Sequence, residues 1–272
     1  MPHKEERYHV RALDRGIRIL SLLSDGKPRT LMELSQALPL SNSTTYRLLT
    51  TLVHHSFVER DEQTGRYTLG FACLELARSY QTNNHIRKLA LLDLERLRDE
   101  TGETIHLAML HDMEVAYLEK LQGLHAIGLM SSEVGGRALA YCTALGKALL
   151  AYTDPERVRA HFKKAGLHRF TDTTITDLDS LMHHLEEVRR RGYAFDRGEH
   201  EPDVRCIAAP IFDASGAVVA AISISGPANR MEPLEANLEH IDKVLRAARK
   251  VSQRLGYRQP HPDSSGPEKG AD

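Results

Sequence analysis

Residues Ser41, Asn42, Ser43, Thr44 and Thr45 stand directly ahead of Tyr46 and Arg47, five small polar side chains leading to an aromatic ring and a guanidinium. Hydroxyls and amides this short can donate to, or accept from, base edges in a groove of duplex DNA. An arginine beside them can bond guanine bidentately or hold a phosphate. The same residue types also serve a plainer end, because Ser, Thr and Asn cap helix N-termini. A second reactive group lies in FDRGEHEPDVRC, which gathers Asp196, Glu199, His200, Glu201, Asp203 and Cys206. A metal site or a Cys206–His200 nucleophile could be assembled from it. Against that, the spacing is not of ligand type, and a cysteine in a strand commonly acts as small apolar filler. A third group is Ser223 and Ser225, two apart in AISIS, so that both hydroxyls leave the same face of a strand.

These groups need elements to hold them. RALDRGIRILSLLSDG places Ala12, Leu13, Ile17, Leu20 and Leu23 near the helical period and stops at Gly26. TLMELSQAL opens with Thr30 and has Glu33 three residues on, a capping box, with Leu31, Leu34 and Leu38 on one face. A three-residue turn, PLS, leads to Ser41 as the N-cap of a helix running to about His55. Its buried stripe is expected at Tyr46, Leu49, Leu52 and Val53, and its polar face at Asn42, Ser43, Thr44, Arg47, Thr50 and Thr51. FVERDEQTGRYTLG then alternates about a Gly-containing turn, a hairpin with Arg66 placed to meet the DNA backbone or minor groove. Helix, capped helix, tight turn, polar-faced helix and ribbon form a winged helix-turn-helix. That order turns the hydroxyl run from a cap into a DNA-reading surface.

Beyond it, GFACLELARSY reads as a helix interrupted by QTNN, and HIRKLALLDLERLRDETG as a longer amphipathic one. From Thr104 the period becomes two. TIHLAML and EVAYLEKL flank a turn at His111, Asp112 and Met113, and AIGLMSSE offers a third strand. ALGKALLAY opens a helix after Thr143, leaving amides near Ala144 and Leu145 free to meet an anion. DLDSLMHHLEEVRRRG ends at Gly192, VRCIAAPIFDASGAVVAAISIS forms a second hairpin turned at 213–216, and LEANLEHIDKVLRAARKVSQRL closes the fold. The pattern predicts an α+β chain, an antiparallel sheet flanked by helices behind the winged helix. In that sheet Cys206 lies on the strand paired with Ser223 and Ser225, and Asp196 precedes the loop. Free amides, two hydroxyls and Asp196 as acceptor suit a small carboxylate bearing a keto or hydroxyl group. Periodicity alone fits equally well two serines facing water with Ile222 and Ile224 in the core.

Composition narrows the classes. The chain has 272 residues and a net charge of −1, with 41% hydrophobic and 27% charged residues, an ordinary globular balance. It has no transmembrane-length apolar run and its N-terminus lacks a signal-type core, so a cytoplasmic chain is expected. Cys73, Cys142 and Cys206 are odd in number and widely spaced, indicating neither disulfide framework nor zinc site. No phosphate-loop, dinucleotide, nucleophile-elbow or zincin motif occurs, so neither a catalytic residue nor a cofactor is expected. The organisation read from these patterns is a flexible N-terminus at 1–8, a winged helix at 9–70, a linker helix at 71–82, a sensor domain at 83–257 and a disordered tail at 258–272.

ALDRGIRILSLL together with LMELSQALPLSNSTTYRLLTTLVHHSFVERDEQTGRYTLG, then YCTALGKALLA and GYAFDRGEHEPDVRCIAAPIFDASGAVVAAISISGP, resemble the IclR family of bacterial transcriptional regulators over nearly the whole chain. The resemblance implies a GAF-like C-terminal domain and a homodimer or dimer of dimers. It also implies a near-palindromic double-stranded operator and repression or activation of a catabolic operon, with repression expected, in response to an organic acid. It places DNA reading on Ser43, Thr44, Tyr46 and Arg47, and the effector pocket on Ala144, Leu145, Asp196, Cys206, Ser223 and Ser225. Three positions depart from the family pattern: Asn42 where many relatives have Lys, Leu139 where proline is usual, and Asp203 where Gly is frequent. The first removes one backbone contact, the second reshapes the pocket mouth, and the third is tolerated if Asp203 takes a left-handed turn. The different class to be distinguished is a GAF-like enzyme or metal-dependent sensor using Cys206 and His200.

Overall fold

The computed structural model describes residues 10–124 and 130–258, and the chain divides after Asn83 into two compact units. The expected flexible N-terminus and all but the first residue of the expected tail lie outside the described residues. The first unit contains helices α1 (Arg11–Leu23), α2 (Leu31–Ala37) and α3 (Asn42–His54), strands β1 (Val58–Arg60) and β2 (Tyr67–Leu69), and helix α4 (Phe71–Asn83). The capping box on α2 is present in both directions: Thr30 Oγ1 accepts from the Glu33 amide at 3.2 Å and Glu33 Oε2 accepts from the Thr30 amide at 2.6 Å. β1 and β2 pair antiparallel, and Arg29 adds a bridge to Tyr67 from the other side. Ile19, Leu23, Leu34, Leu49, Val58 and Tyr67 form the core.

Two stripes differ from the periodic reading. α1 buries Gly16, Ile19 and Leu23, while Leu13 and Ile17 point outward. In α3 the inward residues are Thr45 and Leu49, with Leu48 and Leu52 partly covered, whereas Tyr46 and Val53 are exposed. Starting the helix at a Ser41 cap puts 45, 48, 49 and 52 in one i, i+3, i+4, i+7 row, so a threonine rather than the tyrosine begins the inner stripe. α4 also runs through the expected interruption to Asn83, where Asn84 caps the next helix by accepting from the Arg87 amide at 3.0 Å.

The second unit is built on a six-stranded antiparallel sheet. Its elements are α5 (His85–Thr101), β3 (Thr104–His111), β4 (Glu114–Leu121), β5 (Arg137–Leu139), α6 (Ala144–Leu150), α7 (Pro155–Ala165), α8 (Leu178–Arg191), β6 (Ala194–Asp196), β7 (Val204–Phe212), β8 (Val218–Pro227), α9 (Ala228–Met231) and α10 (Leu238–Arg254). The strand order is β5-β4-β3-β8-β7-β6. Alternation assigns the two faces. Ile105, Leu107, Ile207, Ile222 and Ile224 pack with Leu94 and Leu97 of α5 and Val244 and Val251 of α10. Ala108, Ala208 and Ala221, small residues, face α6 and α8 on the other side. The expected third strand in AIGLMSSE falls partly outside the described residues, and Met130–Glu133 is not a strand; the edge is taken by β5 instead. Among the described residues no helix is long and apolar enough to cross a membrane.

Candidate functional site

The N-terminus of α3 presents Asn42, Ser43, Tyr46 and Arg47 on the surface. Ser41 does serve as the cap, its Oγ accepting from the Thr44 amide at 3.3 Å and lying 2.9 Å from Thr44 Oγ1. Ser41, Ser43 and Thr44 are therefore partly engaged at the helix end, Ser43 Oγ lying 3.1 Å from Ser41 Oγ, while the side chains of Tyr46 and Arg47 make no hydrogen bond among the described residues. Arg47 makes no ion pair among the described residues. Thr45 does not belong to this surface: its side chain is fully buried and its hydroxyl donates to the Ser41 carbonyl at 3.2 Å. Arg66 is drawn back from the wing, donating to the Pro28 carbonyl at 2.8 Å and facing Glu33 at 3.5 Å.

In the second unit the sheet brings the other expected residues into one row. Asp196 of β6 is opposite Cys206 of β7, and Cys206 is opposite Ser225 of β8. Ser223, two residues earlier, is opposite Ala208 and, on its other flank, His106 of β3. Ser223 and Ser225 are buried, and together with Cys206, Asp196 and the Ala144–Leu145 helix start they line a cavity of about 420 Å³. The two serines thus face a cavity rather than open water. α6 comes this close because residue 146 is glycine: a Cβ there would lie 2.2 Å from the Ala140 backbone. Thr143 caps α6 by accepting from the Gly146 amide at 3.2 Å. Helix geometry leaves the earlier amides of Ala144 and Leu145 without an intrahelical acceptor.

The departures at 139 and 203 do not disturb this frame. Leu139 has φ −68°, the value a proline ring would impose, so the backbone keeps the same path. Asp203 is not among the positive-φ residues, so the left-handed turn expected of it is not needed. Its carbonyl accepts from the Ala228 amide at 2.9 Å.

The site's charges follow from burial. Asp196 Oδ1 accepts from the amides of Gly198 at 3.0 Å and Glu199 at 2.8 Å, which ties the loop after β6. Burial nevertheless pushes Asp196 up to about 7, against the pull of the Lys147 ammonium. Lys147, fully buried on α6, pairs with buried Glu199, so the nearest cation is already engaged. Cys206 is held well above its ordinary range by burial, then by Asp196, which disfavours the thiolate that nucleophilic chemistry requires. His200 also lines the cavity, but its ring packs on Phe170 at 4.8 Å. Among the described residues no group of three or more His, Cys, Asp and Glu side chains is placed to hold a metal. His106, Tyr117 and Lys147 are site features that the sequence reading did not single out, and Glu199 was named there only in the candidate metal or nucleophile cluster. The signal for His106 was its place in TIHLAML, a polar ring in register with Thr104 and Ala108 of an otherwise apolar strand.

Comparison with known proteins agrees with both halves. Residues 12–62 match the IclR helix-turn-helix domain, and residues 78–253 match the family described as bacterial transcriptional regulator IclR C-terminal. The HTH-type transcriptional regulator BhcR of Paracoccus denitrificans is 37% identical over 244 residues, 89% of this chain and 86% of that one. The HTH-type transcriptional regulator KdgR of Escherichia coli is 36% identical over 240 residues, 88% of this chain and 90% of that one. Among solved structures, Thermotoga maritima IclR superposes with a TM-score of 0.72 at 32% identity, covering 92% of this chain and 100% of that one. An IclR homologue from Microbacterium hydrocarbonoxydans, complexed with 4-hydroxybenzoate, superposes with a TM-score of 0.79 at 28% identity, covering 90% of this chain and 98% of that one. With a winged helix whose third helix is polar at its start and a helix-flanked antiparallel sheet lining a polar cavity, this chain belongs to the IclR family of bacterial transcriptional regulators.

Proposed function

We propose that this regulator is a repressor of a catabolic operon, released or strengthened on its operator by a small organic acid held in the cavity of the second unit. The observation that carries the reading is the convergence of Ser223, Ser225, Asp196 and the first amides of α6 on one cavity of about 420 Å³. The hydroxyls and amides are donors for a carboxylate, and Asp196 receives a hydroxyl or keeps its own proton to give to a keto oxygen. The 4-hydroxybenzoate in the Microbacterium homologue is an acid of this broad class.

DNA is read by Ser43, Tyr46 and Arg47 at the start of α3, with Asn42 and Thr44 beside them. Arg66, engaged with Pro28 and Glu33, braces the wing against α2 and reaches phosphate only by exchanging those partners. A second copy is expected to cover Leu13 and Ile17 of α1 and Phe71, Leu74 and Tyr80 of α4, large apolar side chains exposed in the single chain. Paired recognition helices then favour a near-palindromic operator. An acid that binds one arrangement of the assembly better than another changes operator affinity, typically by 1–3 kcal/mol of coupling, or about 5- to 150-fold.

The test is calorimetric titration with a panel of sugar acids, aromatic acids and short keto acids, on the wild type and on Ser223→Ala combined with Ser225→Ala. The double variant is expected to lose acid binding and keep operator binding. Unchanged acid affinity in that variant would place the effector elsewhere.

A further inference from the structure

We propose that His106 sets the direction of the hydrogen bonds on the sheet wall of this cavity: a neutral imidazole carrying its proton on Nδ1, it holds Ser225 and Ser223 as acceptors and thereby aims their hydroxyl protons at the bound acid. The inference rests on reading the cavity as an acid site. His106 is the Cα partner of Ser223 and is 3% exposed. Its Nε2 lies 2.9 Å from Ser132 Oγ, and its Nδ1 lies 3.3 Å from Ser225 Oγ and 3.5 Å from Ser223 Oγ. The two serine oxygens are 3.3 Å apart. Both ring nitrogens therefore meet hydroxyls, and neither meets a carboxylate.

A hydroxyl can donate or accept, but a neutral imidazole has one donor and one acceptor nitrogen. The ring's tautomer thus decides the polarity of the whole chain Ser132–His106–Ser225–Ser223. With the proton on Nε2, Nδ1 takes the Ser225 proton, and that serine shows the cavity only lone pairs. Asp196, across the same row, is also an acceptor once ionised, so along this row an incoming carboxylate would meet lone pairs at both Asp196 and Ser225, with Ser223 and the α6 amides left as donors. With the proton on Nδ1, Nε2 instead takes the Ser132 proton and the serine protons turn into the cavity. Only this arrangement turns the protons of both serines toward an anion at the sheet wall, adding them to the α6 amides as donors.

The ring has no route to a charge of its own. It stacks obliquely on Tyr117, with centroids 5.4 Å apart, and burial followed by the Lys120 ammonium drives its basicity down to about 3. The other titratable groups around the cavity are Cys206 on β7, Asp196 on β6, His200 and Glu201 in the loop between them, Glu114 on β4, Arg137 on β5 and Glu133 before it. Arg137 faces Glu114 at 2.9 Å, so the donors that the β3–β8 wall itself offers the acid are neutral, and the affinity carries no titration of His106.

Nitrogen-15 NMR of the full chain, labelled at its histidine side chains, reads the tautomer directly. The His106 signals are assigned by their loss in His106→Asn. They should show a neutral Nδ1–H ring unchanged over about pH 5–8, the interval in which an ordinary histidine titrates. A titrating ring, or an Nε2–H pattern, would overturn the inference. The acid panel supplies the second arm. His106→Asn, whose amide can place a donor near the Nδ1 position, should keep affinity within about threefold, while His106→Leu should lose about tenfold or more. Equal affinity in His106→Leu and wild type would also overturn it. Failure of every acid to bind the wild type would strike the effector reading itself, whereas acid binding to a protein with an Nε2–H ring would strike the role of His106 alone.

Discussion

Asp196 makes a prediction at the scale of a single group. Burial raises its folded-state pKa to about 7 from the ordinary aspartate value of 3.8. Between those two values the folded chain holds a proton that the unfolded chain has released, so stability must fall as pH rises, by up to about 1.4 kcal/mol per pH unit. Above the folded value the slope from this group vanishes. Thermal or denaturant unfolding of wild type and Asp196→Asn, compared at pH 5 and pH 8, should show the variant gaining relative stability at the higher pH. The asparagine can still accept from Gly198 and Glu199. A difference between the two proteins that does not change with pH would mean that Asp196 is already ionised in the fold. Arg47 makes a second residue-scale prediction. Arg47→Ala should weaken operator binding by about 1–3 kcal/mol, measured by fluorescence anisotropy, and leave acid binding unchanged. Residue types alone left the hydroxyl run open between a helix cap and a DNA-reading surface, and it was the order of the surrounding elements that favoured the second. Residue types told less about orientation. Thr45 and Tyr46 exchange the roles their polarity suggests, since the angular position set by the Ser41 cap outweighs side-chain character.

The elements explain why the cavity exists. A helix as short as α6 is held by its neighbours rather than by its own hydrogen bonds. Gly146 lets it approach Ala140, and the Lys147–Glu199 pair ties it to the loop after β6. Gly146→Ala should therefore destabilise the second unit and reduce acid affinity, because the backbone at Ala140 cannot yield as a flexible side chain would. Lys147→Met leaves Glu199 buried without its partner and should cost about 3–5 kcal/mol, while Lys147→Met combined with Glu199→Gln should recover much of that loss. Denaturant midpoints of the three proteins check this, and a double variant no better than the single would show that the pair is not coupled. Alternation revealed β7 and β8 and their turn directly. It left the serines undecided between solvent and cavity, since period two fixes a face without saying what covers it. What covers it is α6, α8 and the segment at Met130–Glu133, and these contacts are non-local. β5 and β6 are only three residues each, too short to carry a period. α4 continues through QTN because no Gly or Pro occurs there to end it.

For the whole molecule, family membership and two separately packed units imply a DNA reader joined to a ligand sensor. Their coupling is a reciprocal free energy: whatever factor the acid applies to operator affinity, the operator applies to acid affinity. The apolar faces of α1 and α4 supply the assembly prediction. Leu13→Glu combined with Leu74→Glu should shift the chain toward monomer in sedimentation experiments and weaken operator binding without affecting the acid site. The motif order was legible from sequence because each piece is local. The proposed ligand was not, because the cavity is lined from all six strands, the start of α6 and the loops at 130–136 and 200–201. The most direct test of the central claim is binding of the full chain to DNA from its own upstream region, at fixed salt and with excess competitor DNA, before and after addition of the acid that titrates the cavity. The account predicts competitor-resistant binding to a near-palindromic site whose affinity changes at least about fivefold with the acid. Specific binding indifferent to an acid that demonstrably fills the cavity would contradict it.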